Sequence, residues 1–229
     1  MHALSAPLRQ GLDALGLSLD EHQQSLLLTY VDLMGKWTRV YNLTAVRDPQ
    51  EMLTHHLLDS LSVVAPLRRQ IAKLRLERLG HPQSEPDAGG LRKFTLLDVG
   101  SGAGLPGVVI AITCPDIQVT CLDAVAKKVA FIQQVAATLK LHNLTGLHER
   151  IETVAQTYDI ISSRAFASVS DFVNGSHQAL ATGGVWMAMK GKTPEEELAD
   201  LPNLAKVFHV EPLQVPGLDA QRCLVWMRG

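Results

Sequence analysis

Apolar positions recur at helical spacing through the first third of the chain. Between residues 20 and 37, Leu26, Leu27, Tyr30, Val31, Leu33, Met34 and Trp37 form one stripe, the pattern of a helix with a buried face. Asp48-Pro49-Gln50-Glu51 then reads as a helix start. Asp48 can cap, Pro49 suits the first helical position, and Glu51 can complete a capping box. The helix that follows turns Met52, Leu53, His56, Leu57 and Leu61 inward, and Pro66 ends or kinks it. Residues 80–90 are rich in Gly, Pro and polar side chains, the composition of a linker or loop.

From Phe94 the period changes. Short apolar runs at Phe94–Val99, Ile117–Leu122, Asn143–His148, Tyr158–Ser163 and Val185–Met189 alternate with helical stretches near 106–113, 125–140 and 169–181. Apolar strands separated by helices predict a parallel, doubly wound sheet covered on both faces. Lys206–Val215 and Arg222–Arg228 are strand-like runs joined by a short turn at Pro216-Gly217, a connection that demands antiparallel pairing. The expected organisation is a helical region over 1–79, a linker over 80–93 and an α/β domain over 94–229.

Composition narrows the class. The 229 residues are 46% apolar and 19% charged, with a formal net charge of −2, which excludes a disordered chain. No apolar run approaches the ~20 residues of a membrane span, and the N-terminus lacks the pattern of a signal peptide. Cys114, Cys121 and Cys223 form no CxxC pair, so neither a disulfide framework nor a zinc site is expected. No metal and no membrane enter the expectation, and the compartment is cytoplasmic. The charge is uneven, however. Arg68, Arg69, Lys73, Arg75 and Arg78 crowd one stretch against the single acid Glu77. A solvated helix face is the ordinary reading of such a run, and a phosphate-contacting surface is the sharper one.

The densest chemical signal is Asp98-Val99-Gly100-Ser101-Gly102-Ala103-Gly104-Leu105-Pro106-Gly107, between the first strand and a helix. Glycines there admit left-handed backbone and let a ligand approach without a Cβ in the way, and the helix behind them offers free N–H groups. Gly102-x-Gly104-x-x-Gly107 formally matches a dinucleotide fingerprint, but the first glycine after the strand is Gly100. Counted from there, Gly100, Gly102 and Gly104, preceded by Asp98, resemble the first motif of Rossmann-like S-adenosylmethionine (SAM) methyltransferases. Asp123 ends the second strand, 23 residues after Gly100, where it can accept from ribose hydroxyls or cap the next helix. Glu152 follows the third strand, where it can border an adenine. Arg164 ends the fourth, where it can meet a carboxylate in the crevice or an acid such as Asp159 or Asp171. No Ser/His/Asp or Cys/His arrangement stands out. A methyl acceptor with its own exposed lone pair, such as guanine N7, needs neither base nor nucleophile.

Together with that loop, Lys36-Trp37, Tyr41-Asn42-Leu43-Thr44-Ala45-Val46-Arg47-Asp48, His56-Leu57-Leu58-Asp59-Ser60, Leu122-Asp123, Ser163-Arg164-Ala165-Phe166-Ala167 and Lys190-Gly191 make the chain resemble the RsmG, or GidB, family. Those proteins are guanine-N7 methyltransferases of bacterial small-subunit (16S) ribosomal RNA. The resemblance implies a Rossmann-like class I SAM-dependent fold with an N-terminal helical appendage. It implies SAM contacts from Gly100, Leu105, Ile151, Glu152 and Arg164, with Asp123 on the ribose. It also implies an RNA role for the loop from Asn42 to Arg47, for His56 and for Lys190. Catalysis would be by positioning, without a general base, on rRNA carried by a small-subunit particle, and the protein would be a monomer. Between Pro66 and Phe94 the chain carries about two dozen residues where the family is expected to have few. Other readings are a methyltransferase of another substrate, a nicotinamide oxidoreductase, and an RNA-binding module without catalysis.

Overall fold

A computed structural model describes residues 2–79, 92–166 and 168–229; the expected linker at 80–93 falls almost wholly outside them. The N-terminal region is helical: α1 (Ser5–Ala14), α2 (Glu21–Tyr41), α3 (Pro49–Met52), a π-helical stretch Leu53–Leu58, α4 (Asp59–Leu61) and α5 (Val64–Leu79). Asp20 caps α2 in a reciprocal box with Gln23, and Asn42 ends it in the left-handed conformation. Asp48 accepts from Gln50 N–H and Glu51 N–H to start α3, as its sequence predicts. The break before α5 falls at Ser62–Val63, so Pro66 neither ends nor kinks a helix. It sits in the first turn of α5, where its missing N–H costs nothing.

The remainder alternates β1 (Phe94–Val99), α6 (Gly107–Thr113), β2 (Ile117–Asp123), α7 (Ala126–Leu139), β3 (Leu144–His148), β4 (Tyr158–Arg164), α8 (Val169–Ser176), β5 (Leu180–Lys190), α9 (Glu195–Ala199), β6 (Lys206–Leu213) and β7 (Arg222–Arg228). The seven strands lie in the order β3-β2-β1-β4-β5-β7-β6. β1 to β5 pair parallel, and β7 pairs antiparallel with both β5 and β6. The order reverses between β1 and β4, and in such sheets the crevice at the strands' C-terminal ends takes the ligand.

Alternate residues of each strand feed two cores. Leu96, Val119, Ile160 and Met187 join the α6–α7 face, and α1, α2, the π-helical stretch and α5 pack into the same cluster. Leu97, Leu122, Ile161 and Trp186 join the opposite face, under Phe172 and Val173 of α8. The N-terminal helices therefore share a core with the sheet, and they reach the ends of its strands. No helix among the described residues is long and apolar enough to cross a membrane.

Candidate active site

After β1 the chain turns through residues 100–106 into α6, and three contacts hold the turn. Ser101 N–H donates to Leu122 O at 3.0 Å. Gly102 N–H donates to Asp123 Oδ2 at 3.0 Å. The buried Tyr30 hydroxyl of α2 donates to Ala103 O at 2.7 Å, so the helical region sets the loop's position directly. Gly102 has φ +59°, and a Cβ there would meet nothing within 4 Å; Gly100, at φ +65°, is likewise open. That space belongs to a pocket of about 550 Å³ at the C-terminal edge of the sheet, with Leu105 also in its wall. The other two glycines serve packing. A Cβ on Gly104 would lie 2.4 Å from Val108 Cγ2, and one on Gly107 would lie 2.3 Å from Cys121 Sγ. Gly104, expected at the ligand, instead closes the turn onto α6 and does not line the pocket.

Beneath the loop, Asp98 is fully buried. Its Oδ2 accepts from Gly107 N–H and its Oδ1 from the Ser162 hydroxyl, each at 2.9 Å. Burial pushes its carboxyl up to about 7, against the pull of those two bonds and of the Arg164 charge. Asp123 does not line the pocket and makes no N-cap bond to α7, whose cap is Val125. Its Oδ1 accepts from Val125 N–H at 2.9 Å, at the entry to α7, and its Oδ2 holds Gly102 and stands 3.4 Å from Lys128 Nζ. Lys128 lines the pocket.

Arg164 pairs with neither Asp159 nor Asp171. Its Nη1 donates to Asp59 Oδ2 at 3.0 Å and to His55 O at 3.1 Å. The other oxygen of Asp59 accepts from Arg222 Nε at 2.9 Å. One buried carboxylate from the helical region thus fixes two guanidinium groups, at the end of β4 and the start of β7, and all three residues line the pocket. Neither Asp59 nor Arg222 was singled out from sequence. An acid inside an apolar helical stripe is a signal that could have marked Asp59. Nothing local marks Arg222, which the β5–β7 pairing carries there. Ala165, next to Arg164, lines the same wall at φ +64°, a strained conformation for a residue with a Cβ.

His56 faces the pocket from the π-helical stretch, its Nε2 2.7 Å from Thr44 Oγ1. Its buried Nδ1 has no hydrogen-bond partner. Burial, with the Arg164 charge second, pulls its pKa down to about 4, so the ring is neutral near pH 7. Lys190, at the end of β5, lines the pocket and pairs with Glu197 at 2.7 Å. Asn42 and Arg47 bond each other at 3.0 Å outside the pocket, while Leu43 and Thr44 between them form part of its wall. Ile151 and Glu152 fall in a 3-10 turn after β3; Ile151 is buried against the α8 side, and neither lines the pocket.

The basic run of α5 lies at the other end of the sheet. Arg68 donates to Thr113 O, Arg69 pairs with Glu211, Arg75 with Asp116, and Arg78 with the buried Asp159. Arg75 and Arg78 also stand over the Phe94 ring, at the first residue of β1. Gly100 follows the last residue of that strand, so about 20 Å of strand separates the run from the pocket. Four of the five cations, Arg68, Arg69, Arg75 and Arg78, are held by the protein's own acids and a carbonyl, which argues against the sharper reading of the run as a phosphate-contacting surface.

The sheet order, the glycine loop after β1 and the acid ending β2 define a class I SAM-dependent methyltransferase. The open cradle at Gly100 and Gly102 fits that cofactor, because it leaves empty the volume a side chain would fill. The model of the GidB family, rRNA small subunit methyltransferase G, matches residues 23–74 and 88–225. The ribosomal RNA small subunit methyltransferase G of Polaromonas sp. (strain JS666) is 62% identical over 221 residues, covering 96% of this chain and 92% of that protein. Its counterpart in Albidiferax ferrireducens is 61% identical over 228 residues, covering 100% of this chain and 98% of the relative. The chain belongs to the GidB family of rRNA small subunit methyltransferases. The match is interrupted only between residues 74 and 88, so the departure from the family pattern is narrower than the stretch from Pro66 to Phe94, and most of α5 is common to it.

Proposed function

We propose that this protein methylates N7 of a guanine in 16S ribosomal RNA, acting as a cytoplasmic monomer on a small-subunit particle. The observation that carries the reading is the single pocket in which an open glycine cradle meets Lys128, Arg164, Lys190 and Arg222. Gly100, Gly102, Leu105 and Arg164 would hold SAM, with Asp123 holding the loop in place from behind. When bound, SAM supplies an electrophilic methyl group on a sulfonium.

The chain's own groups are arranged for alignment rather than proton transfer. Guanine N7 presents a lone pair and loses no proton, so no general base is required. His56, neutral and bonded to Thr44, offers an uncharged polar wall. Asp98 lies under the loop, out of contact with the pocket. Arg164 and Arg222 are fixed by Asp59, which leaves Arg222 to offer a planar cationic edge to phosphate or to guanine acceptors. Positioning of this kind can lower a barrier by ~7–11 kcal/mol. A net charge of −2 gives little general attraction for free RNA, which favours a structured particle as substrate.

The test is methyl transfer from labelled SAM to purified small-subunit particles and to deproteinised 16S RNA, followed by digestion to nucleosides. Label recovered as 7-methylguanosine, and more of it from particles, is the expected result. Label on another base or ring position overturns the reading.

A further inference from the structure

Three aromatic rings step outward from the core where α2 meets α7. Phe131 is fully buried. Trp37 packs edge-on against it at 5.3 Å between centroids, and Tyr41 lies 4.8 Å from Trp37. The Trp37 indole N–H donates to Gln134 Oε1 at 3.1 Å, and Lys127 Nζ stands 5.4 Å from the Tyr41 ring centroid. The series ends in water. Tyr41 is 45% exposed, its neighbour Val40 70%, and Val125, two residues before Lys127, 47%. Those are three of the six large apolar side chains exposed among the described residues. Clustered apolar exposure of this kind marks an interaction surface.

The cation seated against the rings is Lys127. Lys36, Arg39, Arg47 and Lys127 join no ion pair among the described residues. Of the acids of the same segments, Asp32 contacts His2, Asp48 caps α3 and Asp123 pairs with Lys128, while Glu21 and Glu51 join no ion pair among the described residues. The surface also adjoins the site, since Leu43, Thr44 and Lys128 line the pocket.

We propose that Tyr41 is a stacking platform for a single-stranded RNA segment flanking the target guanine, with Lys127 on its phosphates. This rests on RNA being the substrate. A base of any identity offers a π-face to an exposed aromatic ring, and cations beside the ring track the backbone. Tyr41 is already held by Trp37 and Lys127, so little freedom is lost when a base docks. An acidic protein surface could meet the cations, but it would have no use for the open ring.

The test is filter binding of the full-length protein to purified small-subunit particles, with SAM affinity measured separately by calorimetry. Tyr41→Ala should raise the particle Kd roughly five- to 100-fold, the range of base–aromatic stacking, while Tyr41→Phe stays near wild type and SAM affinity is unchanged. Lys127→Gln should flatten the log–log salt dependence by ~0.7–0.9. A particle Kd for Tyr41→Ala equal to wild type overturns the platform. So does a Lys127→Gln variant with an unaltered salt slope, which would mean that Lys127 meets no phosphate. Because binding is read without methyl transfer, failure of the methylation reading and failure of the platform remain separate results.

Discussion

Replacing Asp98 by Asn separates two proton equilibria that oppose each other in the native protein. Burial raises the Asp98 carboxyl from 3.8 to about 7. The folded state therefore keeps a proton that the unfolded chain has already released. Its contribution to stability is full below pH 3.8 and is lost as pH rises through 7. About three units at 1.36 kcal/mol each make this ~4 kcal/mol. His56 works the other way. Its folded pKa falls from 6.5 to about 4, so its contribution is present above pH 6.5 and is lost as pH falls toward 4. Two and a half units give ~3 kcal/mol, nearer ~2 after allowing for the ring's partial exposure. Between pH 4 and 6.5 the two oppose each other, and the full Asp98 contribution is the larger. In Asp98→Asn the amide oxygen can still accept from Gly107 N–H, and the amide N–H can donate to Ser162 Oγ, as the protonated acid would. The variant should then gain on wild type as pH rises, by about 3 kcal/mol between pH 4.5 and 8. Urea unfolding followed by circular dichroism at pH 4.5, 6 and 8 reads this difference directly. A difference that stays constant across the range would refute the assignment of a buried, proton-holding Asp98.

Three further outcomes follow from the site. Asp59→Ala leaves Arg164 and Arg222 without their shared carboxylate; it should cost ~3–5 kcal/mol in chemical unfolding and depress methyl transfer in whatever fraction stays folded. Asp123→Ala should weaken SAM binding by ~1.5–3 kcal/mol in calorimetry with the fold retained, through the freed Gly102 N–H as well as any lost ribose contact, and wild-type affinity would contradict it. Replacing Arg69, Lys73, Arg75 and Arg78 together by Gln should lower the melting temperature, because the Asp159 carboxylate loses a partner, while leaving KM for particles and its salt dependence unchanged; a raised KM would restore an RNA role for α5.

The parallel sheet was legible because its strands are buried on both faces and therefore read as unbroken apolar runs. The glycine loop was legible because close approach to a ligand restricts residue type at fixed spacing. The π-helical stretch Leu53–Leu58 was not, since widening by one residue per turn leaves the apolar stripe almost intact. Arg68–Arg78 looked like a solvated or phosphate-binding face because sequence shows charges without their partners, and those partners lie 41 to 142 positions away. The Asp59–Arg222 contact spans 163 positions and exists only once β7 has inserted beside β5. Gly104 was assigned to the ligand because glycine spacing alone does not distinguish a residue that faces a pocket from one that faces Val108.

The cradle proposed for SAM is the space beyond Gly102. Isothermal titration of SAM into the wild type and into Gly102→Val tests it most directly, with circular dichroism to establish that each is folded. A valine there fills the open volume and resists φ > 0, and Gly102→Ala supplies a milder step. One SAM bound per wild-type chain, weaker binding by Gly102→Ala, and no measurable heat from folded Gly102→Val are expected. A folded Gly102→Val protein that binds SAM with wild-type affinity would contradict the assignment.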